Sequence, residues 1–138
     1  MALGKNAKID HIKRVPLFAR CSKKELAEVA KLADEIDFGP GKELTTEGAS
    51  GREFFVLLEG EAEVRQKGRK VGTLGPGDFF GEIALIARTP RTATVTSSTN
   101  VDLLVITAQS FRTLLDHQPP IAAKVLAALA ERLAPQAF

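Results

Sequence analysis

The chain has 138 residues, 44% apolar and 26% charged, with a formal net charge of +2 at pH 7. That length supports one domain with a real core, and its mixed acids and bases lack the concentrated basic stripe of a nucleic-acid surface. A lone cysteine, Cys21, short apolar runs and a polar N-terminus exclude an intrachain disulfide, a membrane span and a secretory signal, so the expectation is a cytoplasmic protein.

The first periodic segment, residues 6–14, carries Ile9 and Ile12 at helical spacing, with Val15 just beyond. Pro16 interrupts it, and Leu17-Phe18 forms an apolar plug. A stronger helix follows from Ser22 to Ala33. Ser22 and Glu25 have the spacing of a capping box, and Leu26, Val29, Ala30 and Ala33 share a face.

After Asp34 the period shortens to two. Ile36 and Phe38 alternate with acids before Gly39-Pro40-Gly41 turns the chain. Leu44 lies in a short strand, Glu53 to Leu58 is an apolar strand that Gly60 ends, and Ala62 and Val64 alternate with charged residues. Lys67-Gly68-Arg69 marks a hairpin tip, with Val71 and Leu74 beyond it. Gly75-Pro76-Gly77 turns again before Asp78 to Phe80, and strands over Thr92–Thr96 and Val101–Thr107 complete the set. Some eight short strands separated by glycine turns describe an antiparallel sandwich or jelly-roll barrel. Helices then return at Ala108–Leu115 and from Pro119-Pro120 onward, with Ile121, Val125, Leu126, Leu129 and Leu133 as the apolar stripe of the last one.

One stretch interrupts the β pattern: GDFFGEIALIARTPRTATV, Gly77 to Val95. A short helical turn, Glu82 to Ile86, is expected to open at Gly81, and a helix N-terminus presents unpaired N–H groups and a positive dipole end to an anion. Arg91 brings an always-charged fork to the same place, suited to phosphate oxygens. Glu82 would repel a bare phosphate. The combination asks for a ligand that carries a phosphate and a hydroxyl side by side.

FGEIALIARTPRTATV resembles the phosphate-binding cassette of cyclic nucleotide-binding domains, F-G-E-[IL]-A-L…P-R-[STA]-A-[TS]-V. The similarity extends through PLFARCSKKELAEVAKLADEIDFGPGKELTTEGASGREFFVLLEGEAEV, including the glycines at 41, 48 and 60. The resemblance implies an α+β fold, an eight-stranded antiparallel β-roll (a jelly-roll-like barrel) flanked by N-terminal and C-terminal helices. It also implies one cyclic nucleotide-binding domain over residues 1–138. Residues 1–34 would form a helical lead-in, 35–107 the β-roll with the cassette at 77–95, and 108–138 the hinge and lid helices.

The same resemblance assigns roles. Arg91 would pair with the equatorial oxygen of the cyclic phosphate, and Gly81, following Phe80, would allow close backbone approach. The N–H groups of Glu82, Ile83, Ala84 and Ala93 would lie near the sugar-phosphate, and the Glu82 carboxylate would accept the ribose 2′-OH. Thr92 would reach the phosphate or the base. In the family a threonine after this arginine often accompanies cGMP preference. Arg132, 41 residues after Arg91, has a spacing similar to that of an adenine-stacking arginine in bacterial channel domains. The ligand is therefore cAMP by preference, with cGMP open.

The function expected is a sensor module without catalysis, in which the helices from Ala108 onward swing so that the last one covers the base. A metal-dependent cupin enzyme needs a histidine–carboxylate cluster, and the only histidines, His11 and His117, fall at opposite ends. No metal-ligand spacing supports a phosphodiesterase either, so neither a metal nor an enzyme is expected. A catabolite-activator-type transcription factor would need a winged helix-turn-helix after the long helix, and no nucleic-acid contact is expected from this chain. The intact Gly81, Glu82 and Arg91 argue against a degenerate domain acting by protein contacts, while a free-standing binding protein and a regulatory fragment of a larger transcription factor, channel or kinase stay open. So do an effector protein or a second copy as partner.

Overall fold

The computed structural model describes residues 5–81 and 89–133, apart from the side chains of residues 5, 6, 129, 132 and 133. The chain opens with α1 (Lys5–Lys13), a 3-10 turn at Pro16–Phe18, and α2 (Lys23–Leu32). The expected capping box is present: the Ser22 side chain accepts from Glu25 N–H at 3.2 Å, and Ser22 N–H donates to the Glu25 carboxylate at 2.8 Å. Ile9, Ile12, Val15, Leu17 and Phe18 are all buried, so the helix pair and the plug turn one continuous apolar face inward.

Eight antiparallel strands follow: β1 (Asp34–Phe38), β2 (Glu43–Thr45), β3 (Glu53–Glu59), β4 (Ala62–Gln66), β5 (Arg69–Leu74), β6 (Phe79–Phe80), β7 (Thr94–Ser97) and β8 (Val101–Thr107). They divide into two four-stranded sheets, ordered β1-β8-β3-β6 and β2-β7-β4-β5. The tip between β4 and β5 has Lys67 at φ 52° and Gly68 at φ 77°, the two positive angles that a type I′ hairpin requires. Thr107 ends β8 and caps α3 (Ala108–His117) by accepting from Ser110 N–H at 3.1 Å. Pro119 then starts α4 (Pro119–Leu133).

Burial follows from this layering. Strand β3 reads EFFVLLE and hides its five central residues, as a strand covered on both faces must. Phe54, Val56 and Leu58 point into a core shared with the helices, where Leu104, Ile106, Phe111, Ile121 and Val125 join them. Phe55 and Leu57 point the other way, into the space between the sheets with Phe80, Val95, Leu103 and Val105.

Two expectations need correction. The strand placed at Thr92–Thr96 begins only at Thr94. Side chains rather than a strand partner take the preceding carbonyls: Gln66 Nε2 donates to Thr92 O at 3.1 Å and Thr45 Oγ1 donates to Ala93 O at 3.0 Å. Ile36, on the edge strand β1, is 37% exposed. On α4, Leu126 is 54% exposed, and the inward stripe runs through Ile121 and Val125 to Ala128. Leu129 and Leu133 fall among the side chains outside the described set.

The pairing of β1 with β8 sets Asp37 opposite Asp102, with Glu35 two residues along the same strand. Carboxylate oxygens of all three lie within 4.8 Å of one another, and Glu59 of β3 is in register with Asp102 on its other side. Burial first, and then the hydrogen bonds and charges of Glu35 and Asp37, push the Asp102 carboxyl up to about 7. An acid with a raised folded-state pKa is fully stabilising when protonated in both states, and that contribution is lost as pH rises through the folded value. Thermal melts are therefore expected to show Asp102→Asn gaining more stability over wild type at pH 8 than at pH 4. An equal gain at both values would remove Asp102 as the source.

Candidate functional site

A cleft of about 220 Å³ opens at one end of the sandwich, beside the end of β6 and the start of β7. Its lining includes Phe80, Gly81, Arg91, Thr92 and Ala93 from the expected cassette. The remaining cassette residues named from sequence, Glu82, Ile83 and Ala84, lie outside the described residues, as does the helical turn expected over 82–86. The Arg132 side chain is outside them as well. Among the described residues, the cleft has no lining residue from α4.

Arg91 is fixed at both ends. Its backbone N–H donates to Ala49 O at 2.9 Å, and its carbonyl accepts from Gly48 N–H at 2.8 Å, so the β2–β3 turn grips the loop. Its guanidinium donates to Glu53 O at 2.9 Å and lies over the Phe55 ring, 5.7 Å from the centroid. Phe55 stacks on Phe80 at 4.8 Å and 13° between ring planes, so β3 and β6 together build an aromatic floor under the charge. Burial pulls the Arg91 pKa down while the Glu53 charge opposes it. Among the described residues one N–H is committed to Glu53 O, leaving most of the fork's donors for a ligand.

Two glycines make room for this fork. A Cβ on Gly81 would sit 2.8 Å from Arg91 Nη1 and 2.8 Å from Glu53 O, and Gly81 has φ +80°, which disfavours any side chain. A Cβ on Gly51 would sit 1.9 Å from Arg91 Nε. No local sequence pattern distinguishes Gly51 from an ordinary turn residue. Only the fold brings it against an arginine forty positions away.

Gly51→Ala provides a test that leaves Arg91 itself intact. Its clash falls on the far end of a flexible side chain, so the fold is expected to survive with a nearly unchanged melting temperature. The guanidinium must leave its place over Phe55, and affinity for a phosphorylated ligand held by Arg91 is expected to drop by about 10- to 100-fold. Titration calorimetry on the folded variant checks this, and wild-type affinity would show that the fork needs no such seat.

The other walls were also missed. Thr45, 7% exposed, is buried at the base of the cleft, where its hydroxyl donates to Ala93 O and accepts from Val95 N–H at 3.2 Å. Val64 and Leu74 supply apolar surface, and Gln66 supplies an amide. Alternation along β4 puts Val64 and Gln66 on one face, without marking that this face lines a ligand cleft.

An anion-seeking arginine on an aromatic floor, flanked by glycines and facing an apolar-walled cleft, is an architecture for a small phosphorylated ligand. The cyclic nucleotide-binding domain profile matches residues 35–118. This chain belongs to the cyclic nucleotide-binding domain family. It is 41% identical over 92 residues to a cAMP-dependent protein kinase regulatory subunit of Mycosarcoma maydis, covering 64% of this chain and 18% of that protein. Among solved structures it resembles the N-terminal domain of a transcriptional regulator from Streptomyces coelicolor A3(2), with a TM-score of 0.83, 32% identity and 92% of both chains covered. It also resembles cAMP-bound PfPKA-R (141-441), with a TM-score of 0.75 and 25% identity over 92% of this chain and 46% of that one. The chain thus spans less than a fifth of the kinase regulatory subunit it matches.

Proposed function

We propose that this chain is a cyclic-nucleotide sensor module that prefers cAMP and performs no catalysis. The observation that carries the proposal is the seating of Arg91, half-buried between Gly51 and Gly81 with most of its N–H donors uncommitted among the described residues. In this reading Arg91 holds the cyclic phosphate. Gly81 and the N–H groups of Glu82, Ile83, Ala84 and Ala93 surround the sugar-phosphate, and Glu82 accepts the ribose 2′-OH. Phe80 supports the floor, Thr92 faces the phosphate or base, and Arg132 on the last helix covers the purine.

The preference for cAMP is supported by the cAMP-dependent kinase subunit and the cAMP-bound structure among the similar proteins. Thr92, next to Arg91, favours cGMP as the second reading. The signal would pass through α4, which docks through Ile121 and Val125 on the helical core. Side-chain pairs Lys124–Glu25 and Arg20–Glu131 join it to the N-terminal helical segment. A lid movement would have to exchange those contacts for the base, by the differential affinity of the ligand for the two arrangements. A cytoplasmic location and an effector protein or second copy as partner complete the reading. Among the described residues no helix is long and apolar enough to cross a membrane.

Titration calorimetry with cAMP and with cGMP tests the proposal. At about 100 times its dissociation constant, a true ligand adds about 2.7 kcal/mol of stability, which a melting curve registers independently. Absence of binding by both nucleotides below millimolar concentration would overturn it.

A further inference from the structure

Beside the threonines Thr45 and Thr92, the cleft's lining offers two kinds of polar group. Gly81 and Arg91 serve an anion, whereas Gln66 at the end of β4 is a neutral amide on a wall otherwise made by Val64 and Leu74. Val64 and Gln66 are two apart on one strand and share a face. Arg65 between them is turned away, bonding Glu63 and the Gly68 carbonyl.

The orientation of the Gln66 amide follows from its partner. Its Nε2 donates to Thr92 O at 3.1 Å, and a carbonyl oxygen can only accept, so the nitrogen must be on that side. The Oε1 atom is thereby directed away from Thr92 and, among the described residues, accepts no hydrogen bond. Thr92 directly follows Arg91, so the tether places this acceptor one residue from the proposed phosphate site.

Apolar walls suit the faces of a purine but do nothing for its edge, where polar atoms lose water on binding. An acceptor already held in place gains a hydrogen bond there at a reduced entropic cost. We propose that Gln66 is a specificity-determining residue whose Oε1 accepts a hydrogen bond from an exocyclic amino group of the bound purine. This rests on the cyclic-nucleotide reading above and adds to it the chemistry of the edge that is read. Adenine and guanine both carry such a group, on C6 and C2 respectively, whereas hypoxanthine carries none.

The test compares cAMP, cGMP and inosine 3′,5′-cyclic monophosphate on the wild type and on Gln66→Met, which keeps the length of the side chain and removes the amide. Wild type is expected to bind one amino-bearing nucleotide about 3- to 10-fold more tightly than the inosine compound. Gln66→Met should erase that preference while leaving inosine nucleotide affinity within about twofold. Whether cAMP or cGMP suffers identifies the amino group. An unchanged preference, or an equal loss for all three ligands, would overturn the inference while leaving the phosphate site standing. Failure of all three to bind wild type would instead remove the cyclic-nucleotide reading, and this inference with it. Melting curves confirm that the variant, altered at an exposed strand position, is folded.

Discussion

Arg91→Ala is expected to lower affinity for the preferred cyclic nucleotide by about 30-fold to several thousand-fold, the result of leaving a desolvated phosphate without its charged partner. Stability should move little, because the truncation removes one hydrogen bond to Glu53 O and at the same time relieves a half-buried charge. Arg91→Lys should fall between the two: an ammonium keeps the charge but cannot offer a planar fork to two oxygens. Calorimetric titration of all three proteins measures the series. Retention of affinity within threefold in Arg91→Ala would mean that the phosphate is held elsewhere.

Phe18→Ala is expected to have the largest effect on folding. The ring is 0% exposed and meets two others edge-on, Phe54 of β3 at 6.2 Å and Phe111 of α3 at 6.5 Å. Its 3-10 turn also packs against α4, so the ring sits where β3, α3 and α4 meet the N-terminal segment. Truncation costs about 3–5 kcal/mol in transfer and cavity energy, a large share of the total stability of a domain this size. A drop of about 10–20 °C in melting temperature follows. The cleft loses none of its lining residues, so variant protein that remains folded should still bind nucleotide, with an affinity altered only through the strand the two faces share. A shift below about 3 °C would show that neighbouring side chains collapse into the space.

Most of the architecture was legible because local signals agreed with one another. The Ser22–Glu25 box, the Lys67-Gly68 tip and the proline before α4 each specify a boundary through backbone chemistry alone. Strand faces were less legible. A run such as FFVLL has no alternation to read, since it is covered by helices on one side and by the second sheet on the other. Leu126 looked like a core residue because periodicity reports a face and not what lies against that face. Of the cleft's lining, Gly81, Arg91, Thr92 and Ala93 could be named because they fall within the one stretch, Gly77 to Val95, that interrupts the β pattern. Gly51, Thr45 and Gln66 could not, because each matters through a partner far away in the chain: Arg91, Ala93 and Thr92 respectively.

Strand β3 has one further consequence. Phe54 and Phe55 are adjacent in the chain, yet one belongs to the helical core and the other to the floor beneath Arg91. The backbone between them is a party wall one residue thick. Close-packed interiors transmit strain rather than absorb it, so a change of side-chain volume on one face of this strand bears on the other through the shared backbone, with no relay of intermediate side chains. For protein engineering this means that the two rooms are not independent modules: a helix face grafted onto the outer side of β3 would retune the cleft.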